Sequence, residues 1–138
     1  MATRDQIVAE ALSWVGTPYH HAADVKGAGV DCAMLLVRVF SDLQLAPPFD
    51  PRPYPHDWML HRSEERFLGW VTRFADRVEA PRPGDVALFH FGRCVSHGAI
   101  LCGDGYMVHA DLRATRVQRV ELANYAARLH SYWSVTRV

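Results

Sequence analysis

The chain has 138 residues, 49% of them hydrophobic, which is enough for one domain with a real core. Fifteen basic residues balance fifteen acidic ones, so nothing in the charge favours nucleic acid, an anionic membrane or a polyanionic substrate. Three cysteines, an odd number without repeating spacing, do not read as a disulfide framework, and synthesis in a reducing compartment is expected. No apolar run approaches bilayer length, and the Met1–Gln6 start lacks the basic and apolar regions of a signal peptide. Cytoplasmic synthesis without a signal peptide or membrane insertion is the expectation.

Thr3-x-x-Gln6 forms a capping box ahead of Ile7, Val8, Ala11, Leu12, Trp14 and Val15, which predicts a helix from about Arg4 to Val15. Gly16 stops it, and Thr17-Pro18 gives an extended exit. Residues 20–30 read as a loop. Asp31 then caps the apolar run Ala33–Phe40, so a second helix should start at Cys32 and end near Leu45, before Pro47-Pro48. Phe49–Pro55 is irregular and proline-rich. Ser63 predicts a third helix with Phe67, Leu68, Val71 and Phe74 as its apolar stripe.

After Pro81-Arg82-Pro83-Gly84 the pattern changes to strands. Asp85–Phe91, Ser96–Cys102, Tyr106–Asp111, Arg116–Leu122 and Tyr132–Arg137 are short, Val-rich and separated by turn residues. Helices first and strands afterwards predict one α+β domain over residues 1–138, its N-terminal helices packed on a mostly antiparallel sheet of five to six strands.

Cys32 falls in the first turn of its helix, where free N–H groups and the helix dipole favour a thiolate. A core cysteine has no need of that position, whereas a nucleophile does. Gly103-Asp104-Gly105 reads as a hairpin turn. With all three residues in the loop, Cys102 faces Tyr106 and His109 faces Ala99. His97 and His109 then share a face as diagonal neighbours, roughly 7–8 Å apart at Cα. A slip of one residue would separate them. In this register a thiolate can pair with one imidazole while a second polar group, His109 or the directly opposed Asp111, orients that imidazole.

Gly16-Thr17-Pro18-Tyr19, Gly29-Val30-Asp31-Cys32, Pro83-Gly84-Asp85-Val86 and Ser96-His97-Gly98-Ala99 through to His109-Ala110 resemble the NlpC-type cell-wall peptidases, in order and near the family's spacing. The resemblance covers residues 1 to about 111. It implies a papain-like fold, a Cys32–His97–His109 triad, and a Tyr19 hydroxyl near the oxyanion beside the Cys32 N–H. It also implies hydrolysis of bacterial peptidoglycan stem peptides, commonly between γ-D-glutamate and diaminopimelate, with no cofactor. The short members encoded with phage tails or gene-transfer particles are most similar, which implies possible tail-protein partners and action at the cell wall. Two departures fall beside the expected cleft: Ala33-Met34 replaces the usual Ser-Gly, and His20-His21-Ala22-Ala23 replaces a frequent Gly-Gly.

Cys94-Val95-Ser96-His97 has the form of a metal-ligand pair, but a zinc site needs a second close pair and no metal is expected. Cys102 has the opposite strand parity to His97 and is expected to face the core. Pro51-Arg52-Pro53 reads as a loop able to line a groove. Two other readings keep the fold: acyl transfer by the same Cys and His, and a tail component that only binds cell wall.

Overall fold

The computed structural model describes residues 1–54, 66–92 and 94–136, the side chains of Arg66 and Phe67 excepted. Helix α1 spans Arg4–Leu12 and carries the expected capping box, with Gln6 N donating to Thr3 Oγ1 and Thr3 N to Gln6 Oε1. It ends three residues earlier than the sequence pattern indicates. Gly16, at φ +92°, turns the chain out so that its N–H reaches the Val117 carbonyl, and Val117 N–H reaches Thr17 O. Tertiary hydrogen bonding thus takes over from helical periodicity.

Within the expected 20–30 loop, a small hairpin forms from β1 (Asp24–Val25) and β2 (Gly29–Val30). Helix α2 runs Cys32–Asp42 from the Asp31 cap. Its end precedes Leu45 because Gln44 adopts φ +59°, Gln44 N–H bonds Ser41 O, and Leu45 N–H bonds Phe40 O. That is a Schellman closure with Gln in place of the usual Gly. Helix α3 spans Arg66–Thr72, and Phe74 lies just beyond it, packed on Phe49. The Ser63 cap lies outside the described residues.

The main sheet has six strands: β3 (Asp76–Val78), β4 (Val86–Phe91), β5 (Cys94–Gly103), β6 (Tyr106–Asp111), β7 (Arg116–Glu121) and β8 (Leu129–Ser134). Their order is β3-β8-β4-β5-β6-β7, every neighbouring pair antiparallel. Helices α1 and α2 bury Ile7, Leu35, Leu36 and Val39 against one face, with Val86, Leu88 and Ile100 beneath them. A 3-10 helix, Leu122–Arg128, helps cover the other face over Ala87, Phe89, Ala99, Leu101 and Met107. Central strands β4 and β5 are therefore buried on both faces, while edge strand β7 alternates. Strand β3 has no apolar alternation to reveal it. Strand β8 lies three residues before its expected position, following directly on the 3-10 helix.

Asp85, 1% exposed, ties the two layers together. Its Oδ1 is 2.7 Å from Arg4 Nη1, and its Oδ2 accepts the Arg82 N–H at 2.8 Å. Arg4 also donates to the Pro83 carbonyl and to Ser134 Oγ. Asp85→Ala would remove the carboxylate that a largely buried guanidinium contacts at 2.7 Å. A loss of about 3–5 kcal/mol is expected, measured as the fall in unfolding free energy in urea.

Candidate active site

Asp31 places the thiol. Its Oδ1 accepts the Met34 N–H at 2.9 Å and starts α2, so Cys32 occupies the first turn. The preceding strand must lie close to its neighbours: a Cβ on Gly29 would stand 2.8 Å from His20 Cδ2. Half-buried Cys32 has its Sγ 3.7 Å from the Ser96 carbonyl and under the influence of the Gly98 N–H. The thiol therefore lies against the short stretch of β5 that carries His97.

Strands β5 and β6 pair Ile100 with Val108 and Leu101 with Met107, the alignment expected beyond the turn. The turn itself differs. Asp104 and Gly105, both at positive φ, make a two-residue connection, and a register shift between Leu101 and Gly103 restores the alignment. His97 Nε2 lies 2.8 Å from His109 Nδ1, with the rings edge to face. His109 is 1% exposed and packs edge-on to Tyr125. Its Nε2 has no hydrogen-bond partner among the described residues.

Asp111 makes no hydrogen bond to either imidazole. Its Oδ1 accepts the Arg113 N–H and it pairs with Arg116 at the strand end, so it reaches His109 only through its charge. Cys94 is fully buried in the main core, and Cys102 is half-buried beside Ile100. Tyr19 N–H is fixed on Thr115 O, and its phenol lies within electrostatic reach of both Cys32 and Asp31. Burial first, then those two charges, hold Tyr19 far above the ordinary phenol range, so it remains a hydrogen-bond donor.

The surroundings of Cys32 oppose the expected resting thiolate. Burial, and then the Asp31 carboxylate, push the Cys32 thiol well above its usual range, and the N–H groups of Ala33, Cys32 and Gly98 oppose this only in part. Burial, and then His109, pull His97 down to about 3. Helix position alone does not decide acidity when the neighbouring cap is an anion. Burial thus favours the uncharged form of each group.

Burial also lowers His109, with Asp111 opposing. Both histidines thus bind fewer protons folded than unfolded. Their stabilising contribution is present above the unfolded value of 6.5 and is lost as pH falls from there toward 3. Each group contributes a slope of at most about 1.4 kcal/mol per pH unit. The urea midpoint should drop between pH 7 and pH 5, and drop less in His97→Gln.

Sequence reasoning missed the surroundings of Asp31. Its Oδ2 accepts the Ala22 N–H at 2.7 Å and the Tyr54 hydroxyl at 2.5 Å, and His21 Nδ1 stands 4.0 Å away. Tyr54 comes from the proline-rich loop, whose course no periodicity reveals.

This six-stranded antiparallel sheet with a cysteine-bearing helix on one face is a papain-like α+β fold. The NlpC/P60 family model matches residues 16–137, and the chain belongs to that family. It superposes on the NlpC/p60 domain of the peptidoglycan hydrolase SagA with a TM-score of 0.67 at 22% identity, covering 96% of this chain and 99% of that one. A probable endopeptidase of Mycobacterium tuberculosis is 29% identical over 119 residues, 86% of this chain and 26% of its own length. The gamma-DL-glutamyl hydrolase of Bacillus subtilis is 27% identical over 136 residues, 96% of this chain and 28% of its own. The chain thus spans about a quarter of these curated relatives.

Proposed function

We propose that this chain is a cysteine peptidase that hydrolyses peptidoglycan stem peptides at the bond between γ-D-glutamate and diaminopimelate. The observation that carries this is the placement of the Cys32 thiol, at a helix N-terminus, against the 96–98 stretch whose His97 is bonded to buried His109. His109 occupies Nε2 of His97, leaving Nδ1 for the thiol proton. His97 takes that proton as Cys32 Sγ attacks the γ-glutamyl carbonyl. The Cys32 N–H and the Tyr19 hydroxyl stabilise the oxyanion. His97 then protonates the leaving amine, and the acyl group stays on sulfur as a thioester. Water, deprotonated by His97, releases the acid and regenerates the thiol.

Family membership and the names of the relatives support peptidoglycan as substrate, and the Bacillus hydrolase supports a γ-glutamyl bond. Purified sacculi incubated with the protein should release fragments with a new diaminopimelate amine. No fragments, or cleavage elsewhere, would count against the reading. The motif likeness to phage-tail and gene-transfer members supports delivery within such a tail, which mass spectrometry of purified particles would test.

Acyl transfer from lipids finds less support. The apolar cavity between α2 and α3, lined by Ala33, Leu36, Phe40 and Trp70 among others, holds about 70 Å³. That is room for a few waters, far short of a lipid tail.

A further inference from the structure

The Asp50–Tyr54 segment, marked in the sequence only by its prolines, is fastened to the Cys32 end of α2 at several points. Arg52 Nη1 donates to the Ala22 carbonyl at 3.1 Å and stands 3.2 Å from Asp24, while Asp50 holds the rest of the guanidinium. His21 Nε2 lies 2.9 Å from the Tyr54 carbonyl. The Tyr54 ring is 7% exposed, edge-on to His21 and tilted against Trp70. Its hydroxyl ends on Asp31 Oδ2.

Those fastenings already close the loop without the phenol. Closure therefore does not explain why a buried hydroxyl is aimed at the carboxylate next to the thiol. Asp31 is 2% exposed, so water has little room to replace a lost donor. Donors on a carboxylate hold its charge, and the charge left unshared opposes ionisation of a neighbouring thiol.

We infer that Tyr54 is a positioning residue for the nucleophile: its hydroxyl holds the Asp31 charge away from the Cys32 sulfur. The inference rests on the reading of Cys32 as nucleophile. Other titratable groups face this corner. Tyr19 and His21 come from the segment before β1, and His97 comes from β5 with His109 behind it. Tyr54 places its hydroxyl within 3 Å of Asp31 Oδ2, whereas His21 Nδ1 stands 4.0 Å away. Burial raises the Tyr54 phenol, followed by the charge of Asp31 and its hydrogen bond, so the group stays a donor across the working range.

The test reads the thiol without substrate. Iodoacetamide alkylation of Cys32 is followed from pH 6 to pH 10 by mass spectrometry of the modified peptide, in the full chain. Tyr54→Phe keeps the ring packing and the Arg52 and His21 fastenings. It should slow alkylation about three- to tenfold at pH 8 and move the curve to higher pH. Asp31→Asn keeps a good N-cap, removes the charge and should speed alkylation. In that background Tyr54→Phe should change the rate less than twofold. Asp31→Ser serves in the same way if Asp31→Asn does not fold.

An unmoved curve in Tyr54→Phe overturns the inference, as does an equal slowing in the uncharged background. Because no substrate is present, that failure leaves the hydrolysis reading standing. A shifted curve together with intact sacculi would do the reverse.

Discussion

Cys32→Ala is expected to bring fragment release from sacculi down to background while the protein keeps its fold. In the proposed mechanism the thiol supplies the attacking atom, and no other described nucleophile stands between the α2 N-terminus and His97 to replace it. Structurally the change is small. Alanine is well tolerated in a first helical turn, the Asp31 cap on Met34 is untouched, and only a weak contact to the Ser96 carbonyl is lost. Stability should stay within about 1 kcal/mol of wild type. Thermal unfolding followed alongside the sacculus assay separates the two effects. Retained lysis in a folded Cys32→Ala protein would remove the proposed mechanism.

His97→Ala should be nearly as damaging as loss of the thiol, and His109→Ala less so. In the proposed mechanism His97 handles the proton in both half-reactions, and general acid–base catalysis is typically worth about 10²–10⁴-fold. His109 acts through the 2.8 Å contact with His97 Nε2, so its removal should lower kcat more than it raises KM. Asp111→Ala should cost little, since that carboxylate caps the 111–113 turn and makes no hydrogen bond to either imidazole. Steady-state kinetics on a soluble stem peptide would rank all three. Equal inactivity of the two histidine variants would mean that they act as one unit, and a dead Asp111→Ala would return the orienting role to Asp111.

Much of this was legible in the chain. The Thr3–Gln6 capping box, the Asp31 cap with Cys32 after it, and the Tyr106–Asp111 strand are local patterns, and the structure reproduces them. The far register of the His97–His109 hairpin was also readable, because side-chain parity survives an error in the turn. Where the expectations erred, packing and hydrogen bonding outside the local pattern were responsible. Helix α1 stops early because Gly16 bonds Val117, and β8 moves forward because a 3-10 helix occupies the approach to it. Strand β3 exists because Tyr132, Trp133 and Ser134 offer it an edge.

Local patterns in the chain account for the parts that depend on neighbours a few residues away: helix starts, strand parity, and the presence of one thiol and two imidazoles at family spacing. Tertiary structure alone decided their electrostatics. Whether Cys32 rests as thiol or thiolate depends on how deeply strand β5 buries it and on the charge of Asp31 beside it. How freely Asp31 exerts that charge depends in turn on Ala22 and Tyr54, 9 and 23 residues away along the chain. Acidity is set by desolvation and by charges in space, and neither is a function of distance along the chain.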